Sequence, residues 1–435
     1  MNRIYKNIDA SFEEYEFNRF TNILIELLMA SIWKLNAFCM KLSIQKGKLV
    51  PIKRLHVDVA GKPFARRGES MINFISKMLE KMSIPDCVFY VSVQDNYLYY
   101  DVPIFTYAKP KTKKGLLIPD HTWIDAEPEN MAIESYVSFQ DVKRKMNKFN
   151  KTVHKIDELF FIGQDIASYD RTNIRRFFAL QPKPFNVSLN KYVSMEHFCE
   201  YSCLLNLSGA WPWSFRFKFL FLTNSLVINV ACYWMQVFDP LFIPGVDYIN
   251  VERNADFNVV AHNILEQCAT SDISAITASG YKKSKLLTQK NIYSVLHYCI
   301  NTWRLKCVQT RMALKAPDVF IKKIKLGLNK MEGYNEIKFY DTMERNGLSH
   351  LVIPLLNFYI EKGYLVLEYA RSITIAVPRI DETVKHRINK IISVIKLLHI
   401  KIPDDDIMAT IAYYKNDYYL TDFTKYVCPE HIKSR

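Results

Sequence analysis

Apolar residues recur at helical spacing from Glu69 to Ser83, and Pro85 and Asp86 end that run. Cys87-Val-Phe-Tyr-Val-Ser-Val93 follows, a β-branched and aromatic stretch of strand length that stops at Gln94-Asp95-Asn96. A second short strand is predicted at Pro103–Tyr107. The same alternation returns downstream. Glu158–Ile162 reads as a strand running into Gly163, a polar loop and a helix rich in arginine (Arg171, Arg175, Arg176). Cys203–Leu207 is the next strand, with a helix from about Ser214 to Leu222, and Ser225–Val230 is another. Residues 286–308 read as one long helix, after which strands resume at Val319–Ile324 and Gly363–Tyr369. Short apolar strands alternating with helices predict an α/β architecture with parallel sheets. Ligands in such folds lie beyond the carboxyl ends of the strands, where Asp95, Gly163 and Gly209 fall. Residues 1–50 read as mostly helical; their most apolar window, 22–40, is broken by Glu26 and Lys34 and suits an amphipathic or buried helix, not a membrane span.

Composition narrows this picture. The chain has 435 residues, 49% hydrophobic and 23% charged, which excludes disorder for most of its length and leaves room for several domains. Glycine is scarce at 12 residues, so a glycine at a strand end is informative. The net charge of +14 favours polyanions or nucleotide ligands, and it also fits lysine-rich coding spread over solvated faces. The densest basic run, Lys109-Pro-Lys-Thr-Lys-Lys114, is broken by Pro110 and reads as a loop, so no nucleic-acid partner is expected. Nine scattered cysteines without a zinc-spaced partner pair point to a reducing compartment and no metal site. The acidic residues Glu13, Glu14 and Glu16 do not suit a signal peptide.

Two strand-to-helix turns pair a glycine with a downstream arginine. In Gly163–Arg171 the glycine is followed by Ser168 and Arg171; in Gly209–Lys218 it is followed by Ser214, Arg216 and Lys218. Free N–H groups at a helix start and an arginine fork together suit a diphosphate; a capped helix with a surface arginine would leave the same trace. Asp95, just past an apolar strand, is placed either for general-base work or as a turn residue.

These segments resemble glycosyltransferase family 90, which includes the protein O-glucosyltransferases and capsule-associated xylosyltransferases. The resemblance rests on Ser214-Phe-Arg-Phe-Lys-Phe-Leu-Phe-Leu222, Asn224–Val230, Trp234–Pro240 and Val246-Asp-Tyr-Ile-Asn-Val251. Upstream it adds Phe161-Ile-Gly163, Val93-Gln-Asp95 and Pro103–Lys109. It implies two facing Rossmann-like domains of GT-B type and metal-independent, inverting transfer from a UDP-sugar, glucose or xylose, to a protein or glycan hydroxyl. On this reading the UDP-sugar is a co-substrate and no cofactor is needed. Asp95 corresponds to the catalytic base, and Gly163, Ser168, Arg171, Gly209, Ser214 and Arg216 to the nucleotide-binding positions. Ile162 stands where the family has arginine, Gln164 where it commonly has serine, and Ser208 where Arg or Asp usually precedes the glycine. The alternative is a catalytically inactive scaffold on the same fold. A cytoplasmic setting, such as the host cytoplasm or virion of a large DNA virus, fits either version.

The last third resembles a degenerate protein kinase and equally suits an unrelated α+β appendage. Val319–Ile324 with Lys322, Glu336, Gly363–Tyr369, and Tyr418–Thr424 with Asp422 carry that resemblance. No glycine-rich loop precedes Val319, and Thr424 replaces the glycine after Asp-Phe. The expected organisation is therefore a helical segment at 1–50, an acceptor and catalytic-base domain at 51–155, a nucleotide-sugar domain at 156–310, and the tail at 311–435.

Overall fold

The computed structural model describes the chain apart from residues 16, 18–19, 33–36, 56–59, 95–101, 124–138, 169–171, 192, 209–215, 232, 309–318, 326–330, 349–354, 362–363, 371–372, 375–392, 394–410, 415–416 and 421–435. Two compact units emerge. One comprises Met1–Tyr15, Phe38–Tyr100 and Ile104–Arg304; the other comprises Glu16–Ala37, Asp101–Pro103 and Leu305–Arg435.

The first unit contains two five-stranded sheets. One has the order β2-β1-β3-β4-β6, built from β1 (Cys39–Gln45), β2 (Lys48–Lys53), β3 (Cys87–Ser92), β4 (Phe105–Thr106) and β6 (Leu116–Leu117). Residues 39–53 are thus a β-hairpin, where the hydrophobic pattern predicted helix. The two-residue turn explains it: Lys46 and Gly47 both have positive φ, 50° and 74°, and this pair matches the twist of the strands it joins. The sheet is mixed, since β1 runs antiparallel to β2 and β3 while β3, β4 and β6 run parallel. The helix Lys62–Leu79 supplies Met71, Phe74, Ile75 and Met78 to its core. A second helix, Gln289–Val308, supplies Trp303, which is fully buried, lies against Tyr90 and Phe105, and donates to the Val88 carbonyl at 2.7 Å.

The other sheet consists of β7 (Ile156–Gly163), β8 (Phe185–Leu189), β9 (Tyr201–Asn206), β10 (Leu226–Val230) and β12 (Ile249–Val251), in the order β12-β10-β9-β7-β8. Every pairing in it is parallel. Phe160, Phe161 and Ile162 are consecutive and all buried, the signature of a strand covered on both faces. One face packs Leu159, Phe161, Leu205, Ile228 and Val251 against helices that contribute Ile174, Phe178, Val260 and Ile276. The other carries a ladder of amides: Asn206 donates to Asn229 at 2.7 Å, and Asn229 to Asn250 at 2.9 Å.

Two features tie the segments of this unit together. β5 (Ala108–Pro110) pairs antiparallel with β11 (Trp234–Gln236), so the basic run at 109–114 begins as a strand instead of the predicted loop. Lys109 is buried and paired with Glu14 at 3.0 Å.

In the other unit, β13 (Val319–Lys325), β14 (Leu355–Glu361) and β15 (Tyr364–Ala370) form an antiparallel sheet with β15 central. The helix Thr21–Ser31 packs on the helix Glu332–Arg345 and on β14, with Phe20 stacked on Phe358 at 5.0 Å. The apolar window of the N-terminus is therefore a buried helix of this unit. β16 (Ile373–Thr374), β17 (Ile411–Tyr414) and β18 (Asp417–Leu420) make a further small antiparallel sheet. Glu336 is fully buried; Asp422 lies outside the described residues. No helix among the described residues is long and apolar enough to cross a membrane.

Candidate active site

Numbering the parallel strands in chain order gives the spatial order 2-1-3-4-5. Such a sheet binds ligands where the connections part in opposite directions, between its first and third strands, at their carboxyl ends. Here that point lies between β7 and β9, which end at Gly163 and Asn206.

Arg175 straddles it. Its Nη1 donates to the Gln164 carbonyl at 3.0 Å, Nε to the Ser208 carbonyl at 3.0 Å, and Nη2 to the Leu207 carbonyl at 3.3 Å. Arg216 reaches the same place from the opposite loop and donates through Nη1 to the Ile162 carbonyl. Both guanidinium groups lie over the Phe161 ring at 5.1 Å, and Arg216 also lies over Phe198 at 5.4 Å. Burial, followed by the charge of Arg216, pulls the pKa of Arg175 down to about 10, so it stays charged at neutral pH. Two cations held this close against an aromatic ring favour an anion between or above them.

A third arginine stands at the exit of β12. Arg253 donates through Nη1 to Ser208 Oγ at 2.7 Å and through Nη2 to Ser168 Oγ at 2.8 Å and Thr172 Oγ1 at 2.6 Å. The Ser168 hydroxyl is also within 3.0 Å of the Thr172 carbonyl.

Gly163, Ser168 and Arg216, singled out from the sequence, thus gather at one carboxyl edge. Asp95, Arg171, Gly209 and Ser214 lie outside the described residues. Two expectations change. Gly163 is the last residue of β7, with φ outside the left-handed region, and its need is for space. A Cβ there would come within 2.9 Å of the Phe161 ring and 3.4 Å of Arg175. The helices after the two turns are also short. Ile174–Ala179 has six residues and Phe217–Leu220 four, and Ser168 sits in a loop ahead of the first. Positive charge at this edge comes from arginine side chains, since so short a helix aligns few peptide dipoles. Arg253 was missed by sequence reasoning. Its signal was available: it follows β12 by two positions, at the carboxyl edge that open parallel sheets use for ligands.

Two residues after Arg216 the chain contributes to a buried ion pair. Lys218 and Asp120 have side-chain exposures of 5% and 2%, with Nζ 2.9 and 2.8 Å from the two carboxylate oxygens. Lys218 also donates to Thr122 Oγ1 and lies over the Trp123 ring at 4.2 Å. Burial alone would raise the Asp120 pKa; the charge and hydrogen bonds of Lys218 outweigh it and hold the group below its ordinary value. Neighbouring His121 is pushed down to about 3 by burial, and Asp239 up to about 7 by loss of hydration. Lys218, which the sequence set beside Arg216 as a candidate anion contact, is thus a structural cation.

Residues 48–297 match the model of glycosyl transferase family 90, more than half of the chain. The chain belongs to glycosyl transferase family 90. This family 90 chain is similar to the O-glucosyltransferase rumi homolog of Aedes aegypti, 43% identical over 63 residues, which are 14% of this chain and 15% of that protein. It is also similar to protein O-glucosyltransferase 1 of Homo sapiens, 44% identical over 64 residues, 15% of this chain and 16% of the relative. The matched stretches therefore span about a sixth of these relatives. Ile162, which departs from the family resemblance, is accounted for locally: its side chain is buried in the sheet and its carbonyl accepts from Arg216.

Proposed function

We propose that this family 90 chain is a glycosyltransferase that moves glucose or xylose from a UDP-sugar to a protein or glycan hydroxyl, with inversion and without a metal. The observation that carries this reading is the pair Arg175 and Arg216, set over Phe161 where the parallel sheet presents its ligand edge. In the proposed reaction Asp95 accepts the proton of the acceptor hydroxyl as its oxygen attacks the anomeric carbon. The bond to the β-phosphate oxygen breaks, and UDP leaves with both electrons. The arginines offset the charge that develops on the leaving diphosphate, a role fixed dipoles and cations perform best when held in place beforehand. The mixed sheet β2-β1-β3-β4-β6 is the counterpart expected to bring Asp95 and the acceptor, in a GT-B-like arrangement. Lys218 and Asp120 belong to the framework under the site, not to its chemistry.

The kinase-like reading of the tail is supported by the succession of β13, a helix with buried Glu336, and β15 beside β13.

The test is UDP release from a panel of UDP-sugars by wild type, Asp95→Asn and Arg216→Ala. Slow release from one sugar, weakened by Arg216→Ala and abolished by Asp95→Asn, is the expected result. Tight UDP binding with no turnover of any sugar in the presence of protein acceptors would favour the inactive scaffold instead.

A further inference from the structure

Arg175 and Arg216 bond to backbone carbonyls, but Arg253 bonds through its fork to three hydroxyls on two different loops. Ser168 and Thr172 belong to the connection after β7, and Ser208 to the connection after β9. These are the strands that flank the switch point, while Arg253 itself comes from the exit of β12, outside both. A guanidinium is planar, with donors fixed in direction. Once its Nη1 and Nη2 are engaged on opposite loops, the spacing of those loops is set. A hydroxyl that accepts from a cation is also polarised, which strengthens the bond that its own proton makes, as the Ser168 hydroxyl does to the Thr172 carbonyl at 3.0 Å within the same loop. A lysine could supply the charge but, with a single nitrogen, not the two-sided span.

We propose that Arg253 is a positioning residue of the diphosphate subsite. It laces the loop after β7 to the loop after β9, sets the gap in which a nucleoside diphosphate is held, and adds a third positive charge to that edge. This rests on the donor-site reading above, which it deepens by naming the residue that fixes the geometry around the phosphates.

The experiment is calorimetric titration of the full chain with UDP and with uridine, for wild type, Arg253→Gln and Arg253→Lys, alongside thermal melting. Loss of the charge-assisted bonds that hold the two loops, together with one positive charge at the edge, predicts UDP binding weakened roughly tenfold or more in Arg253→Gln. Arg253→Lys should recover only part of that loss. Uridine affinity should change less than about twofold, because the phosphates and not the base are affected. UDP-sugar KM should rise by a similar factor, and kcat should fall further in Arg253→Gln than in Arg253→Lys, because only the former removes a positive charge beside the leaving diphosphate. Wild-type binding of UDP that Arg253→Gln retains in full would overturn the inference and leave the donor-site reading standing. A variant that loses uridine and UDP together, with a collapsed melting transition in both substitutions, would make Arg253 merely structural and also overturn it. Failure of the wild type to bind UDP at all would instead remove the donor-site reading, and the inference with it.

Discussion

Replacing Lys218 with methionine keeps the length and apolar stem of the side chain and removes the charge. Among the described residues Asp120 would then keep, at 2% exposure, the Thr122 backbone N–H at 2.8 Å and the Thr122 hydroxyl as hydrogen-bond partners. Breaking one half of a buried pair in this way costs about 3–5 kcal/mol, because the remaining charge has neither water nor counter-ion. The contact between Lys218 and Trp123 at 4.2 Å is lost as well, adding about 0.5–2 kcal/mol. The pH dependence gives the prediction its sharper form. In the wild type Lys218 holds the Asp120 pKa below its ordinary value, so this group stabilises the fold above the carboxylate range and loses that contribution on acidification. In Lys218→Met, burial is unopposed and the folded pKa rises. The penalty should be full at pH 8 and shrink towards pH 5, as Asp120 takes up a proton inside the fold. Denaturant unfolding of both proteins at the two pH values, followed by tryptophan fluorescence, reads this directly. A second variant, Lys218→Met with Asp120→Leu, should recover most of the loss. A midpoint unchanged in the single variant, or a penalty that grows on acidification, would refute the reasoning.

Other outcomes follow from the same contacts. Gly280→Ala should destabilise by about 1–3 kcal/mol, read by thermal melting, because its Cβ would press on the Asp247 carbonyl, which is backbone and cannot swing away. Gly163→Ala should disturb the Phe161 ring and Arg175 and, on the proposed donor-site reading, raise the KM for the UDP-sugar severalfold while the protein still melts cooperatively. Asp239→Asn should stabilise the protein most at pH 8, less at pH 5 and hardly at all near pH 3. With the pKa raised to about 7 in the fold, the unfolded chain ionises first, so the cost of the buried carboxyl builds up from the ordinary carboxylate range to about pH 7. His121→Gln should flatten the fall in melting temperature between pH 6.5 and 5. With a folded pKa near 3, buried His121 refuses the proton that the unfolded chain takes up near its usual value of about 6.5.

Three strands of the parallel sheet, β7, β9 and β10, were legible because burial on both faces leaves continuous apolar runs such as Leu159-Phe-Phe-Ile162, whereas half-buried β8 has no such run and was not anticipated. Their succession also gave the α/β class. The hairpin at 39–53 was not, since the apolar stretch before it is helical and β2 alternates with half-exposed positions; the deciding signal was the two-residue Lys46-Gly47 turn. At the proposed site, a glycine at a strand end and an arginine beyond it pointed to the carboxyl edge where Arg175, Arg216 and Arg253 gather. What could not be read was which arginine goes where. Arg175 lies on a helix that looked merely basic, and Arg253 reaches Ser168 from 85 positions away, a distance only the sheet order closes. Lys218 shows the converse: two positions after Arg216 in sequence, it turns inward to Asp120 and not to the ligand edge.

Trp303 fills the core beside β3 and bonds to Val88, 215 positions earlier in the chain. During synthesis, at about 5–20 residues per second, that partner arrives about 10–40 s after Val88 has left the ribosome. Until then Tyr90 and Phe105 lack the indole they pack against. The mixed sheet can form its hairpin early but cannot close its core, so a nascent chain halted before the helix Gln289–Val308 should hold an open apolar face and depend on chaperones. The last helix of this unit is, in effect, the latch on its first sheet.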